Sequence, residues 1–157
     1  MRRAAALAVG ALLAAASAAR AEKPEVTARL VVPASAPAGS RVPIAVELTV
    51  GKGWHVNSHT PAEKFLIPTD LALAASTGTL SAVRYPRDVE IRPAFADAAM
   101  RVYEGTVRFE CDLDLPPDAR SSARVTGSLS FQACNDRQCF APAKIALEGS
   151  ISLGPPH

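Results

Sequence analysis

Three cysteines are the residues of this chain best suited to do chemistry, and two of them stand close together. Cys134 and Cys139 bracket Asn135, Asp136, Arg137 and Gln138, a polar stretch of the kind that closes a β-hairpin. Residues flanking such a loop face each other with Cβ atoms ~4.5–5.5 Å apart, and modest adjustment reaches the ~3.8 Å of a disulfide. The pair can bridge. Such a bridge is either a staple or a reagent. Chain entropy assigns ~2.2 kcal/mol to closing this short loop, against ~3.5 for joining Cys111 to Cys134. The short loop is the weaker staple, and a chain of this length buries enough apolar surface to fold without one. As a reagent, the pair would need a thiolate in line with a sulfur, a good leaving thiolate and access for a partner. Spacing alone leaves both readings open.

The residue types also raise a metal reading. His55, His59, Met100 and the cysteines are soft or borderline ligands that copper or zinc accepts. His55 and His59 would align on a helix, but the local sequence reads as strand and loop, and no Cys-x2-Cys accompanies them. Trp54, the sole tryptophan, is expected to pack in the core.

The elements that must position these groups read as short strands. Val26, Ala28, Leu30 and Val32 share one parity, as do Val42, Ile44, Val46, Leu48 and Val50. Val107, Phe109, Cys111, Leu113 and Leu115 alternate with Arg108, Glu110, Asp112 and Asp114. Cys111 therefore points into the core as an inert thiol. Two late strands carry Val125, Leu129, Phe131 and Ala133, then Ile145, Leu147, Ile151 and Leu153. On that parity Cys134 faces outward, and its pairing with Cys139 requires the returning strand to slip by one residue near Pro142. Thr60, Pro61 and Glu63 have the chemistry to begin a helical turn, which Pro68 would stop. About seven strands with one apolar face each imply an all-β fold, an immunoglobulin-like antiparallel β-sandwich.

The chain has 157 residues, with 17 basic and 15 acidic side chains and a formal net charge of +2. Residues 1–21 hold eleven alanines and three arginines but no acid, and read as a cleaved signal peptide. Their apolar run is too short to span a bilayer, which needs ~20 residues. Without them the balance is 14 against 15, a net charge of −1, which argues against a nucleic-acid partner. The expectation is one domain over residues 22–153, a frayed tail over 154–157, and an exported, soluble, periplasmic monomer, where paired cysteines can be oxidised.

Phe131-Gln132-Ala133-Cys134, then Cys139 and Pro142, resemble the active-site hairpin of the N-terminal periplasmic domain of the thiol:disulfide interchange protein DsbD. Gly53-Trp54-His55-Val56-Asn57-Ser58, Phe65-Leu66-Ile67-Pro68-Thr69, Tyr85-Pro86 and Val102-Tyr103-Glu104-Gly105 look like further landmarks in the family's order. The likeness covers roughly residues 25–150. It implies an immunoglobulin-like sandwich whose cysteine pair shuttles electrons to or from thioredoxin-fold periplasmic partners by transient mixed disulfides, as a protein-disulfide reductase, in the setting of cytochrome c biogenesis. No cofactor beyond the disulfide is implied, and the electron source would be a separate membrane carrier.

By resemblance, Cys134 and Cys139 form the redox pair, with Cys139 attacking and Cys134 resolving. Residues 95–101, with Phe95 foremost, would shield it as a cap loop. His55 and Asn57, standing where the family carries tyrosines, would flank it, and Tyr103 belongs to the same set of landmarks. Arg137 in the loop would favour a thiolate and Asp136 oppose it. His55 could accept a proton during exchange. Two other function classes stand beside this one: an immunoglobulin-like scaffold with an inert hairpin disulfide, and copper or zinc binding.

Overall fold

The computed structural model describes residues 23–155; the leader and residues 156–157 lie outside them. Two four-stranded sheets face each other. The first runs in the order β1 (Val26–Val31), β3 (Arg41–Val50), β9 (Thr106–Asp114), β6 (Thr79–Leu80). The second runs β2 (Ser35–Pro37), β12 (Ala143–Gly154), β10 (Ser122–Phe131), β5 (Asp70–Ala75). All pairings within them are antiparallel except β2 with β12. This is the all-β, immunoglobulin-like sandwich that the alternation implied. β12 continues through Gly154, the first residue of the expected tail.

The period of two in the sequence becomes the inner face of each sheet. In β3 and β9, Val42 stands opposite Leu113, Ile44 opposite Cys111 and Val46 opposite Phe109, and all six are buried. Across the sandwich they meet Val125, Leu129, Phe131, Leu147 and Ile151. Each buried aliphatic or aromatic side chain here contributes roughly 1.5–3 kcal/mol. Gly127 marks the tightest strand approach, since a Cβ there would lie 2.1 Å from the Ala72 carbonyl oxygen in β5.

Among the described residues there are twelve strands rather than seven. Much of the excess is a third, smaller sheet in the order β11 (Ala133–Cys134), β4 (His55–Asn57), β8 (Met100–Tyr103), β7 (Val89–Ile91). One face of it carries Ala133, Val56 and Tyr103 into the same core as Phe109 and Leu129. The expected helical turn at Thr60 is absent. Ser58 Oγ accepts from the Thr60 amide and a single turn closes from Leu66 N to Glu63 O, because the segment is anchored at both ends and crosses between sheets. Among the described residues no helix is long and apolar enough to cross a membrane.

Candidate functional site

The hairpin holding the cysteines begins where the chain changes sheets. β10 ends at Phe131 in the second sheet and β11 begins at Ala133 in the third, with Gln132 between them. Phe131 pairs with Ala143, whereas Cys134 pairs with Cys139 and the Phe140 amide donates to the Ala133 carbonyl at 2.8 Å. The returning strand thus spends one residue more than the outgoing one, at Ala141 and Pro142. This is the slip that the parity required. Pro142, which has no amide hydrogen to place in a ladder, suits it.

Gln132 braces the slip. Its Nε2 donates to the Phe140 carbonyl at 3.1 Å, and its Oε1 accepts from Asn57 Nδ2 at 3.1 Å and from the Ile67 amide at 3.4 Å. One side chain so ties the hairpin to β4 and to the loop before β5. Asn135 closes the turn. Its amide donates to the Gln138 carbonyl at 3.0 Å, while its Oδ1 accepts from the amides of Arg137 and Gln138 at 3.0 and 2.9 Å. Asn is suited to this because its side chain can hydrogen-bond backbone two residues on. The sequence showed both residues as parts of motifs but gave neither a role of its own. Asn at the head of a four-residue loop was a usable signal for the second; the role of Gln132 depends on which sheets meet there.

Cys134 and Cys139 are joined as a disulfide with Cα atoms 4.0 Å apart. Their exposures differ: Cys134 is fully buried, Cys139 half-buried. The expectation that Cys134 lies outward is corrected in part. Its side chain does sit on the face of the third sheet away from Ala133 and the core. Yet that face is covered, because Ile67 closes over Asn57 and the start of the loop after β7 lies beside His55. Anything arriving from solvent meets Cys139 first. Cys111 is free and buried, and burial pushes its thiol pKa up.

His55 is directly opposite Cys134 across β4 and β11. It is buried rather than on an exposed edge, and desolvation lowers its pKa. A hollow beside it is lined by Ile91, Arg92, Pro93, Glu104 and Asp136, the last from the cysteine loop itself. Asn57, two residues along β4, is also buried, and its Nδ2 donates to the Ile67 carbonyl at 2.9 Å. Arg137 is exposed and lies 3.6 Å from Asp136, so the two loop charges offset each other.

Tyr103 and Phe95 stand further off. Tyr103 is on the core face of β8, edge-on to Phe109 at 5.6 Å, with its hydroxyl accepting from the His59 amide at 3.2 Å. Phe95 is 41% exposed and lines a hollow with Glu63, Phe65, Leu66, Asp97 and Met100, one that neither cysteine lines. Trp54 is half-buried and meets the ring of Phe140 edge-on at 5.2 Å, at the margin of the core and one residue beyond Cys139. His59 stacks on Tyr85 at 3.5 Å, with Nδ1 3.1 Å from the Thr69 carbonyl. Among the described residues no group of three His, Cys, Asp or Glu side chains is arranged to hold a metal ion.

A family profile for the N-terminal region of the thiol:disulfide interchange protein DsbD matches residues 23–148. Comparison with curated proteins found no match. Among solved structures, the N-terminal periplasmic domain of ScsB from Proteus mirabilis superposes with a TM-score of 0.57 at 16% identity, covering 78% of this chain and 45% of that one. This chain thus spans less than half of that solved domain. The N-terminal domain of Neisseria meningitidis DsbD in its reduced form aligns at 14% identity and a TM-score of 0.45, covering 76% of this chain and 86% of that one. The profile spans most of the sequence, and the chain belongs to the DsbD N-terminal domain family.

Proposed function

We propose that this domain relays electrons in the periplasm through Cys134 and Cys139, exchanging them with thioredoxin-fold partners by transient mixed disulfides. Family membership and the bonded cysteine pair support thiol–disulfide exchange as its general chemistry. The observation carrying the finer reading is the unequal exposure of the two sulfurs. Exchange needs one sulfur that a partner thiolate can reach and a second held close enough to displace that partner afterwards. Cys139 meets the first need and Cys134 the second. Cys139 is accordingly the attacking thiol and Cys134 the resolving one.

The supporting residues divide by distance. His55 and Asn57 hold the covered face behind the sulfurs, Arg137 and Asp136 set the charge at the loop, and Phe95 with residues 96–101 would act as a cap only by moving from the separate hollow that Phe95 lines here. Tyr103 anchors β8 beneath them. In cells, Cys134→Ser should accumulate mixed disulfides between Cys139 and thioredoxin-fold proteins, visible on non-reducing gels and absent from the Cys134→Ser/Cys139→Ser double variant. Capture of no such protein by either single cysteine variant would contradict the relay.

A further inference from the structure

Among the described residues, two buried side-chain nitrogen or oxygen atoms have no hydrogen-bond partner, His55 Nε2 and Asn57 Oδ1. Both belong to β4 and, two residues apart, project from the same face of it. That is also the face of Cys134, which pairs directly with His55 across the strands. Buried polar groups are ordinarily paired, because leaving one unpaired forfeits its hydration. Here the unpaired ones gather behind the sulfurs. A disulfide carries no hydrogen to donate. Reduction changes that by placing an S–H on Cys134, opposite an imidazole whose Nε2 is vacant.

We propose that His55 Nε2 accepts the hydrogen bond of the Cys134 thiol in the reduced protein and takes its proton when Cys134 resolves a mixed disulfide at Cys139. This assignment rests on the relay reading above and gives the resolving sulfur its base. Cys139 as thiolate attacks a partner disulfide, forming a mixed disulfide and releasing one partner thiolate. Cys134 then passes its proton to His55 Nε2, and its sulfur attacks Cys139 Sγ. The Cys134–Cys139 bond forms, the bond from Cys139 to the partner breaks, and the second partner thiolate departs. The domain is oxidised and the partner disulfide reduced. His55 later gives its proton to solvent or to the departing thiolate.

The surroundings suit an imidazole that is neutral at rest and charged only briefly. Burial lowers its pKa and keeps the ring neutral near neutral pH, and Nε2 accepts in the tautomer that carries its proton on Nδ1. The charged groups lining the adjoining hollow are Glu104, Asp136 and Arg92. The two carboxylates favour the imidazolium once formed, and Arg92 opposes it. Asn57 Oδ1 can accept a hydrogen bond but cannot take up a proton, which leaves His55 as the base.

The test uses the reduced mature protein and an aromatic disulfide that releases a coloured thiolate at each step. The first burst reads attack by Cys139 and the second reads resolution by Cys134. In His55→Gln, the ratio of second-phase to first-phase rate should fall at least tenfold near pH 7. The acid limb that histidine imposes on the second phase should vanish. In the unsubstituted protein, the imidazole nitrogen resonances of His55 should shift between the oxidised and reduced states, a readout that needs no variant to fold. Superimposable second-phase profiles, or imidazole resonances unmoved by reduction, would overturn the assignment while leaving the relay standing. A protein that never releases the second thiolate would overturn the relay, and this assignment with it.

Discussion

His55 ties the chemistry of the pair to the stability of the domain. Its folded-state pKa lies below the ordinary 6.5 because burial disfavours the imidazolium. Between those two values the unfolded chain binds more protons than the folded one, so stability rises with pH. The neutral histidine's contribution is fully present above about pH 6.5 and declines as pH falls toward the folded value, by at most ~1.4 kcal/mol per pH unit. Denaturant unfolding followed from pH 7.5 down to 5 should show that decline in the unsubstituted protein and a shallower one in His55→Gln. Equal slopes would place the titrating group elsewhere. The types and spacing of Cys134, Cys139 and His55 were legible in the sequence. The burial of His55 and Cys134 was not, because alternation tells which face a side chain takes and not what later closes over that face.

At the scale of elements, the long strands were readable and the short ones were not. β3, β9, β10 and β12 each run nine residues or more, long enough for a period of two to stand out. β4, β7 and β11 hold three residues or fewer and show no period at all, yet they build most of the sheet on which the disulfide sits. The slip at Pro142 was visible because two clear parities disagreed across it. Its brace was not, since Gln132 acts through groups distant in sequence at Asn57 and Ile67. Replacing Gln132 with Ala removes its bonds to the Phe140 carbonyl, the Ile67 amide and Asn57 Nδ2, the last of which keeps its bond to the Ile67 carbonyl, at a cost of about 0.5–1.5 kcal/mol. The denaturation midpoint should fall accordingly. Fluorescence from Trp54, which touches Phe140, should shift red as the hairpin loosens. An unchanged midpoint and spectrum would mean that the slip holds without its brace.

For the whole molecule, the sandwich and the cysteine pair divide the work. The paired inner faces of the two large sheets supply the apolar burial, so the domain should stay folded with its disulfide reduced. That independence lets the bond open and close while the scaffold stays intact. Architecture, family and the cysteine pair were all legible in the sequence, because each rests on local pattern. The third sheet and the covered face behind the sulfurs depend on how distant segments meet. The direct measurement is the reduction potential of the purified domain, equilibrated against a thiol buffer, with thiol counting to show that Cys111 stays free in both states. A structural bridge lies below about −300 mV, whereas thioredoxin-fold shuttles span roughly −270 to −120 mV. The potential should lie in the shuttle range, with two thiols gained on reduction and an otherwise unchanged fold. A bond that resists reduction down to about −300 mV in the folded protein would contradict it.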